Sequence, residues 1–307
     1  MKDPVVETDG LSRSFGALKA VDGVSLSVGV GEMFGLVGPD GAGKTTLIRM
    51  LCGILAPSAG TARVLGLDIV READRVKKDI GYLSQRFSLY GDLTIDENIE
   101  FFAEINGVYG YRRRRDELLE FTRLTPFRDR LAERLSGGMK QKLALACTLV
   151  HTPKIIFLDE PTTGVDPVSR RDFWKILQSL LKGGITIVMS TPYLDEAERC
   201  SRVALMNAGT IMRVDTPPVL KASMRREVLE IVCHPVREAF RILKAGPAGT
   251  ELQAFGDRLH VIVDRGSARP EELSRELRRG GVHVSGVRTI SPSLENVFIS
   301  LLSHQKE

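Results

Sequence analysis

One stretch, Gly38-Pro39-Asp40-Gly41-Ala42-Gly43-Lys44-Thr45-Thr46, constrains this chain more than any other. It fits the pattern G-x-x-x-x-G-K-[ST] at every required position. The apolar run Met33-Phe34-Gly35-Leu36-Val37 before it reads as a buried strand, and Leu47-Ile48-Arg49-Met50-Leu51 after it has helical spacing. Glycines let the backbone turn its N–H groups toward phosphate oxygens, and the helix start adds the positive end of its dipole. Lys44 is then placed for the β- and γ-phosphates, and the Thr45 hydroxyl for Mg²⁺. A bound nucleoside triphosphate is the expectation.

A second feature supplies the acids such a site needs. Ile155-Ile156-Phe157-Leu158 is an apolar strand that ends in Asp159-Glu160, and doubly wound parallel sheets carry functional groups at the carboxyl ends of their strands. Asp159 suits the Mg²⁺ shell, directly or through water, and Glu160 suits orienting or deprotonating an attacking water. Upstream, Leu135-Ser136-Gly137-Gly138-Met139-Lys140-Gln141 leads into the helical stretch Leu143 to Val150. Ser136 is a good N-cap, and Gly137-Gly138 leave N–H groups open to an anion. By itself that sequence is a common cap.

At 307 residues the chain exceeds the usual single domain, so a large domain plus a smaller one is expected. A formal charge of +4, spread along the chain, gives no basic tail for nucleic acid. No apolar run is long enough to cross a bilayer and Met1-Lys2-Asp3-Pro4 opens no signal peptide, so a cytoplasmic protein without its own transmembrane segment is expected. Cys52, Cys147, Cys200 and Cys233 are scattered and fit reduced core thiols.

Around these motifs, Val5 to Thr8 and Val24 to Val28 alternate with period two, as strands of a half-exposed antiparallel sheet do. Between them, Phe15 either stacks on a base or fills the core; single aromatics favour the core. The segment from about 86 to 150 is longer than a minimal phosphate-loop domain needs and turns helical, as an insertion would. Its Arg112-Arg113-Arg114-Arg115 run favours a solvated helix face over a lipid or nucleic-acid contact. Ser169 to Lys182 predicts a helix, Ile185 to Ser190 a buried strand, and Val203 to Val214 a closing hairpin. Pro217-Pro218 marks a domain boundary, giving domains 1–218 and 219–307. Beyond it the order is βαββαβ, that of a ferredoxin-like domain, with a last helix from Leu294 to Leu302.

With these motifs in this order, residues 1 to about 220 resemble the ATP-binding subunit of an ABC transporter. The phosphate loop is joined by Gln85 at a Q-loop position, by Leu135 to Gln141 as signature sequence, by Asp159-Glu160 as Walker B and by Gly164-Val165-Asp166 as D-loop. The tail, with Ser291-Pro292-Ser293-Leu294-Glu295-Asn296-Val297-Phe298, resembles export-type ATPases of the daunorubicin-resistance and multidrug-efflux subgroup. The resemblance implies an α/β P-loop NTPase fold with an antiparallel β subdomain and a helical insertion, followed by a small α+β domain with a regulatory or interface role. It implies ATP and Mg²⁺ as ligands, with Glu160, Gln85 and Lys44 catalytic and Thr45, Gln85 and Asp159 at the metal. Phe15 moves to an adenine-stacking position, and Ser136, Gly137, Gly138 and Asp166 serve nucleotide held by a second ATP-binding domain. The partners implied are that domain and a separate membrane permease, with the subunit peripheral on the inner face of the membrane and no nucleic acid.

One position departs from the family pattern. After Met189-Ser190-Thr191 a histidine is usual, and here Pro192 stands, with neither an imidazole nor a backbone N–H to offer. Two alternatives to an exporter ATPase follow: a slow or degenerate ATP-binding partner in an asymmetric complex, and a soluble ABC ATPase outside transport. A GTPase is disfavoured, since no Asn-Lys-x-Asp segment is present.

Overall fold

The computed structural model describes residues 4–85, 89–224, 226–245, 251–264, 266 and 270–304. The chain divides into two compact units, Met1–Val214 and Asp215–Glu307. The first unit opens with β1 (Val6–Phe15), β2 (Leu18–Val28), β3 (Met33–Val37), α1 (Lys44–Leu51), β4 (Ala59–Val64), β5 (Leu67–Asp68), α2 (Ala73–Asp79) and β6 (Ile80–Leu83). The helices α3 (Ile95–Ile105), α4 (Arg112–Thr122) and α5 (Gly137–Leu149) follow. The chain then returns through β7 (Ile155–Asp159), α6 (Pro167–Lys182), β8 (Thr186–Thr191), α7 (Leu194–Ala197), β9 (Arg202–Asn207) and β10 (Thr210–Asp215).

Two sheets result, and their sequences differ for a physical reason. The antiparallel sheet β2-β1-β4-β5 alternates buried and open positions, as from Val6 to Asp9 of β1, because only one face meets the core, and a register shift after Thr8 returns Leu11 to that face. In the sheet β10-β9-β3-β8-β7-β6, strands β3, β7 and β8 are buried along their whole length and lie parallel to their neighbours β9 and β6. Their near-continuous apolar runs are what a sheet covered on both faces requires. α1 packs Leu47, Ile48, Met50 and Leu51 into a core that also holds Val6, Leu11, Phe34, Phe157 and Val188.

α3, α4 and α5 all lie in sequence between the parallel neighbours β6 and β7. α3 begins with a capping box in which Thr94 accepts from the Glu97 N–H and Glu97 reaches back to the Thr94 N–H. One turn on, the fully buried Asn98 amide accepts from the Tyr90 N–H at 3.0 Å and donates to the carbonyls of Tyr90, Leu93 and Thr94. The arginine run is less solvated than its charge density predicts. Arg113 is 91% exposed, but Arg115 is 16% exposed and pairs with Asp96 at 3.1 Å, and Arg114 donates to the Leu149 carbonyl at 3.2 Å. The Asp96 carboxylate and the carbonyl at the end of α5, packed beside this face, draw such side chains inward.

The second unit opens with α8 (Pro217–Ala222) and continues as β11 (Arg226–His234), α9 (Val236–Lys244), β12 (Glu251–Phe255), β13 (Arg258–Asp264), α10 (Pro270–Arg279), β14 (His283–Ile290) and α11 (Leu294–His304). Its elements follow the βαββαβ order, and its antiparallel sheet runs β12-β13-β11-β14. Leu229, Ile231 and Cys233 of β11 meet Ala239, Leu243 and Leu277 of the two helices in its core. The units meet at Val214–Asp215, a few residues before the boundary expected at 218. Pro217 and Pro218 occupy the first turn of α8, where an absent N–H costs no hydrogen bond.

Replacing Asn98 with leucine strands buried partners in the segment 90–94. It is expected to lower unfolding stability by about 1–3 kcal/mol, measured by urea denaturation of the full chain.

Candidate functional site

The phosphate loop is shaped by two glycines that no other residue could replace without moving backbone. A Cβ on Gly38 would stand 2.0 Å from the Met206 carbonyl oxygen, and one on Gly43, at φ +98°, 2.2 Å from that of Ala20. Gly43 caps α1, and the first helical bond runs from the Leu47 N–H to the Gly43 carbonyl. The N–H groups of Lys44, Thr45 and Thr46 are thus first-turn donors with no acceptor within the helix.

Lys44 is almost fully buried. Its Nζ donates to the carbonyls of Gly38 at 2.7 Å and Pro39 at 2.9 Å and pairs with Glu160 Oε1 at 3.3 Å. Gln85 Nε2 donates to the other carboxylate oxygen of Glu160 at 3.1 Å, and Thr163 Oγ1 donates to the same oxygen at 3.4 Å. Glu160 adopts φ +49°, a left-handed conformation that costs a non-glycine residue on the order of 1–3 kcal/mol. Its N–H donates to Ser190, to the carbonyl at 3.2 Å and to Oγ at 2.9 Å, and that holds the turn.

Asp159 is 0% exposed. Its Oδ1 accepts from Thr45 Oγ1 at 3.0 Å and from Ser190 Oγ at 2.7 Å, and its buried Oδ2 has no hydrogen-bond partner among the described residues. An unpartnered buried carboxylate oxygen beside a threonine hydroxyl is a hard, anionic donor set, which fits Mg²⁺. Burial first, and then the nearby Asp159 charge, push the Cys52 thiol well above its usual pKa, so it stays protonated. The other three cysteines are likewise buried and free, and burial pushes Cys200 up to about 12.

Most of the residues expected at a nucleotide do converge. A cleft of about 660 Å³ is lined by Phe15, Asp40 to Thr46, Gln85 and Glu160. Phe15 stands 48% exposed at its rim, with the Arg13 guanidinium 4.9 Å from the ring centroid. Its residue type alone favoured the core; the end of β1 carries it past the core instead. Ser136, Gly137, Gly138 and Asp166 do not join this cleft. Ser136 caps α5 by accepting from the Met139 N–H, and Asp166 caps α6 by accepting from the N–H groups of Val168 and Ser169. Gly137 lines a separate cleft of about 480 Å³ with Lys140, Thr163 and Gly164, and Gln85 borders both.

Ser190 was not singled out from the sequence. The available signal was a hydroxyl closing an apolar strand, Ile185 to Met189, which the sheet register sets opposite Asp159. Lys19, which lines the larger cleft and pairs with Asp22, carried no comparable signal.

The family model described as ABC transporter matches residues 21–163. The daunorubicin/doxorubicin resistance ATP-binding protein DrrA of Streptomyces peucetius is 37% identical over 97% of this chain and 92% of its own length. The chain belongs to the ABC transporter ATP-binding proteins. The probable multidrug ABC transporter ATP-binding protein YbhF of Escherichia coli (strain K12) is 41% identical over 98% of this chain, and the chain spans only 53% of that relative's length. Among solved structures, a dimeric ATP-binding cassette in a post-hydrolysis state bound to ADP and Pi aligns at a TM-score of 0.62 with 26% identity, covering 69% of this chain and 98% of that one. As an ABC ATPase the chain has the P-loop NTPase fold, and a further relative, 40% identical over 89% of this chain and 86% of its own length, is the Nod factor export ATP-binding protein I of Paraburkholderia xenovorans (strain LB400).

Replacing Lys44 with alanine removes the cation from the phosphate cleft and leaves Glu160 without its ion pair. Affinity for Mg·ATP is expected to fall by about 10²-fold or more, measured by equilibrium binding of labelled nucleotide.

Proposed function

We propose that this chain binds and hydrolyses ATP and that its closure on ATP drives export of a substrate through a separate membrane permease. The observation that carries the hydrolytic part is the meeting of Lys44, Gln85 and Glu160 in the lining of the phosphate-loop cleft, with Asp159, whose Oδ2 has no partner among the described residues, tied to that lining through Thr45. Lys44 and the open N–H groups of the loop hold the phosphates. Glu160 positions the attacking water and accepts its proton, while the Gln85 amide orients the carboxylate. Thr45 and Asp159 would hold Mg²⁺, whose charge stabilises the phosphate oxygens in the transition state. Phe15 offers a ring face at the cleft rim for the adenine.

The signature residues Ser136 to Gly138 and Asp166 lie outside this cleft, which supports their use on nucleotide bound by a second ATP-binding domain. The names of relatives that include multidrug, daunorubicin and Nod factor export systems support the direction of transport. No helix among the described residues is long and apolar enough to cross a membrane, so the pathway is assigned to a permease and the chain to the inner face of the membrane. The division of labour proposed is residues 1–218 for ATP and 219–307 for regulation or an interface.

Pro192 favours a second possibility, a slow or degenerate partner in an asymmetric complex. It directly follows Thr191, whose carbonyl accepts from the Gly38 N–H, so this position abuts the phosphate loop without an imidazole. Steady-state hydrolysis of Mg·ATP by the wild type, Glu160→Gln and Pro192→His separates the two. Turnover by the wild type, a fall of about 10²-fold or more in Glu160→Gln, and less than about tenfold change in Pro192→His are expected. A wild type that binds ATP and turns over only after Pro192→His would establish the degenerate partner.

A further inference from the structure

Glu196 is 1% exposed, and it has no place in the chemistry described above. Its carboxylate sits in α7, just beyond the end of β8, and four side chains converge on it. Thr162 Oγ1 donates to Oε1 at 2.6 Å and Trp174 Nε1 donates to the same oxygen at 3.4 Å. Thr191 Oγ1 donates to Oε2 at 2.8 Å, and Arg170 Nε lies 2.8 Å from Oε1 as an ion pair. A charge this deep is tolerable only because Arg170 balances it and the hydroxyls occupy its lone pairs.

The donors come from three segments, of which the turn after Asp159-Glu160 carries a residue of the cleft lining, Glu160, and the end of β8 and α6 pack behind it. Thr162 belongs to the turn after Asp159-Glu160, where Thr163 N–H donates to the Glu160 carbonyl and Val165 N–H to the Thr162 carbonyl. A shift at Thr162 therefore reaches Glu160 through a turn that has no slack. Thr191 ends β8 and also accepts from the Tyr193 N–H at 3.0 Å, while the Arg170 guanidinium lies 4.2 Å from the Tyr193 ring centroid. Position 192 is thereby fastened on both sides. Arg170 and Trp174 belong to α6, the helix that Asp166 caps.

The geometry points to Glu196 as a positioning residue for ATP hydrolysis: one buried carboxylate ties the turn that carries Glu160 to the end of β8 at Pro192 and to α6. The inference rests on the hydrolytic role given to Glu160 above. Glu160 holds a left-handed φ, and such a conformation persists only when its surroundings overdetermine it. Ser190 supplies one restraint, from the β8 side. Glu196 supplies a further one, through Thr162. Because Glu196 does not line the phosphate-loop cleft, its effect should fall on the chemical step and leave nucleotide affinity alone.

The test uses the full chain with Mg·ATP and compares the wild type, Glu160→Gln, Glu196→Gln, Glu196→Asp and Thr162→Val. For each, kcat, KM and hydrogen–deuterium exchange of the segments 159–165 and 189–194 are measured. Glu196→Gln keeps the shape and removes the charge, and Thr162→Val removes one donor at constant volume, so the clasp is probed even if the first variant folds poorly. Both are expected to lower kcat by about 10- to 100-fold with KM within about twofold, since small misplacements of a catalytic group have costs of that size. Exchange should quicken in 159–165, and Glu196→Asp should recover part of the rate. Wild-type turnover with kcat in both variants within about twofold, or a loss shared equally by kcat and nucleotide binding, would overturn the inference alone. No turnover by the wild type would overturn the hydrolytic role of Glu160, and the positioning role of Glu196 with it.

Discussion

The buried pair Lys44–Glu160 is the constraint on which the rest of the first unit depends. Two opposite charges 3.3 Å apart and shut away from water are stable only if every remaining donor and acceptor finds a partner. Lys44 meets that demand by bonding the Gly38 and Pro39 carbonyls of its own loop, and Glu160 by accepting from Gln85 and Thr163. The pair therefore enforces the curl of the phosphate loop and the approach of the Gln85 segment at once. On the proposed reading, phosphate oxygens entering the cleft would compete with Glu160 for the same ammonium and so link nucleotide binding to the carboxylate.

Building that pair takes a sheet order the chain does not follow. Lys44 comes after β3 and Glu160 after β7, and the two strands are joined by β8, which arrives later in the chain and lies between them. β8 is a working part of the site as well as a spacer. Ser190 steadies Asp159 and the Glu160 N–H, and Thr191 reaches the Gly38 N–H on one side and Glu196 on the other. The second unit follows the same rule of burying charge only with partners. Glu230 of its central strand accepts from Arg258 at 2.9 Å and Arg288 at 2.7 Å, and the buried Asn296 of α11 donates to Gln253 at 2.7 Å.

Much of this was legible beforehand, for particular reasons. β3 and β7 announce themselves because strands buried on both faces must be apolar throughout, and the second unit because its alternation, turns and helices follow one another cleanly. α11 begins at Leu294, the residue its spacing predicts, and runs two residues past the expected Leu302 to His304. Phe15 and the arginine run were harder, since residue type says what a side chain prefers and not what stands beside it. An aromatic at the end of β1 finds a cleft where the core was favoured, and Arg115 finds Asp96 where water was favoured. Ser190 and Glu196 were passed over because serine and glutamate are ordinary anywhere until a neighbouring strand makes them partners.

The sequence by itself determined the phosphate loop, the apolar strand ending in Asp159-Glu160 and the succession of strands and helices in the second unit. Each depends on local spacing or on periodicity along one element, and both are written in order along the chain. Only the tertiary structure decided that Gln85 bonds Glu160, that Asp159 keeps one oxygen without a partner, that the signature residues open onto a different cleft from the loop, and that Glu196 gathers Thr162, Thr191, Arg170 and Trp174. These contacts join residues far apart in the chain, and a side chain carries no mark of the distant partner that folding will bring to it.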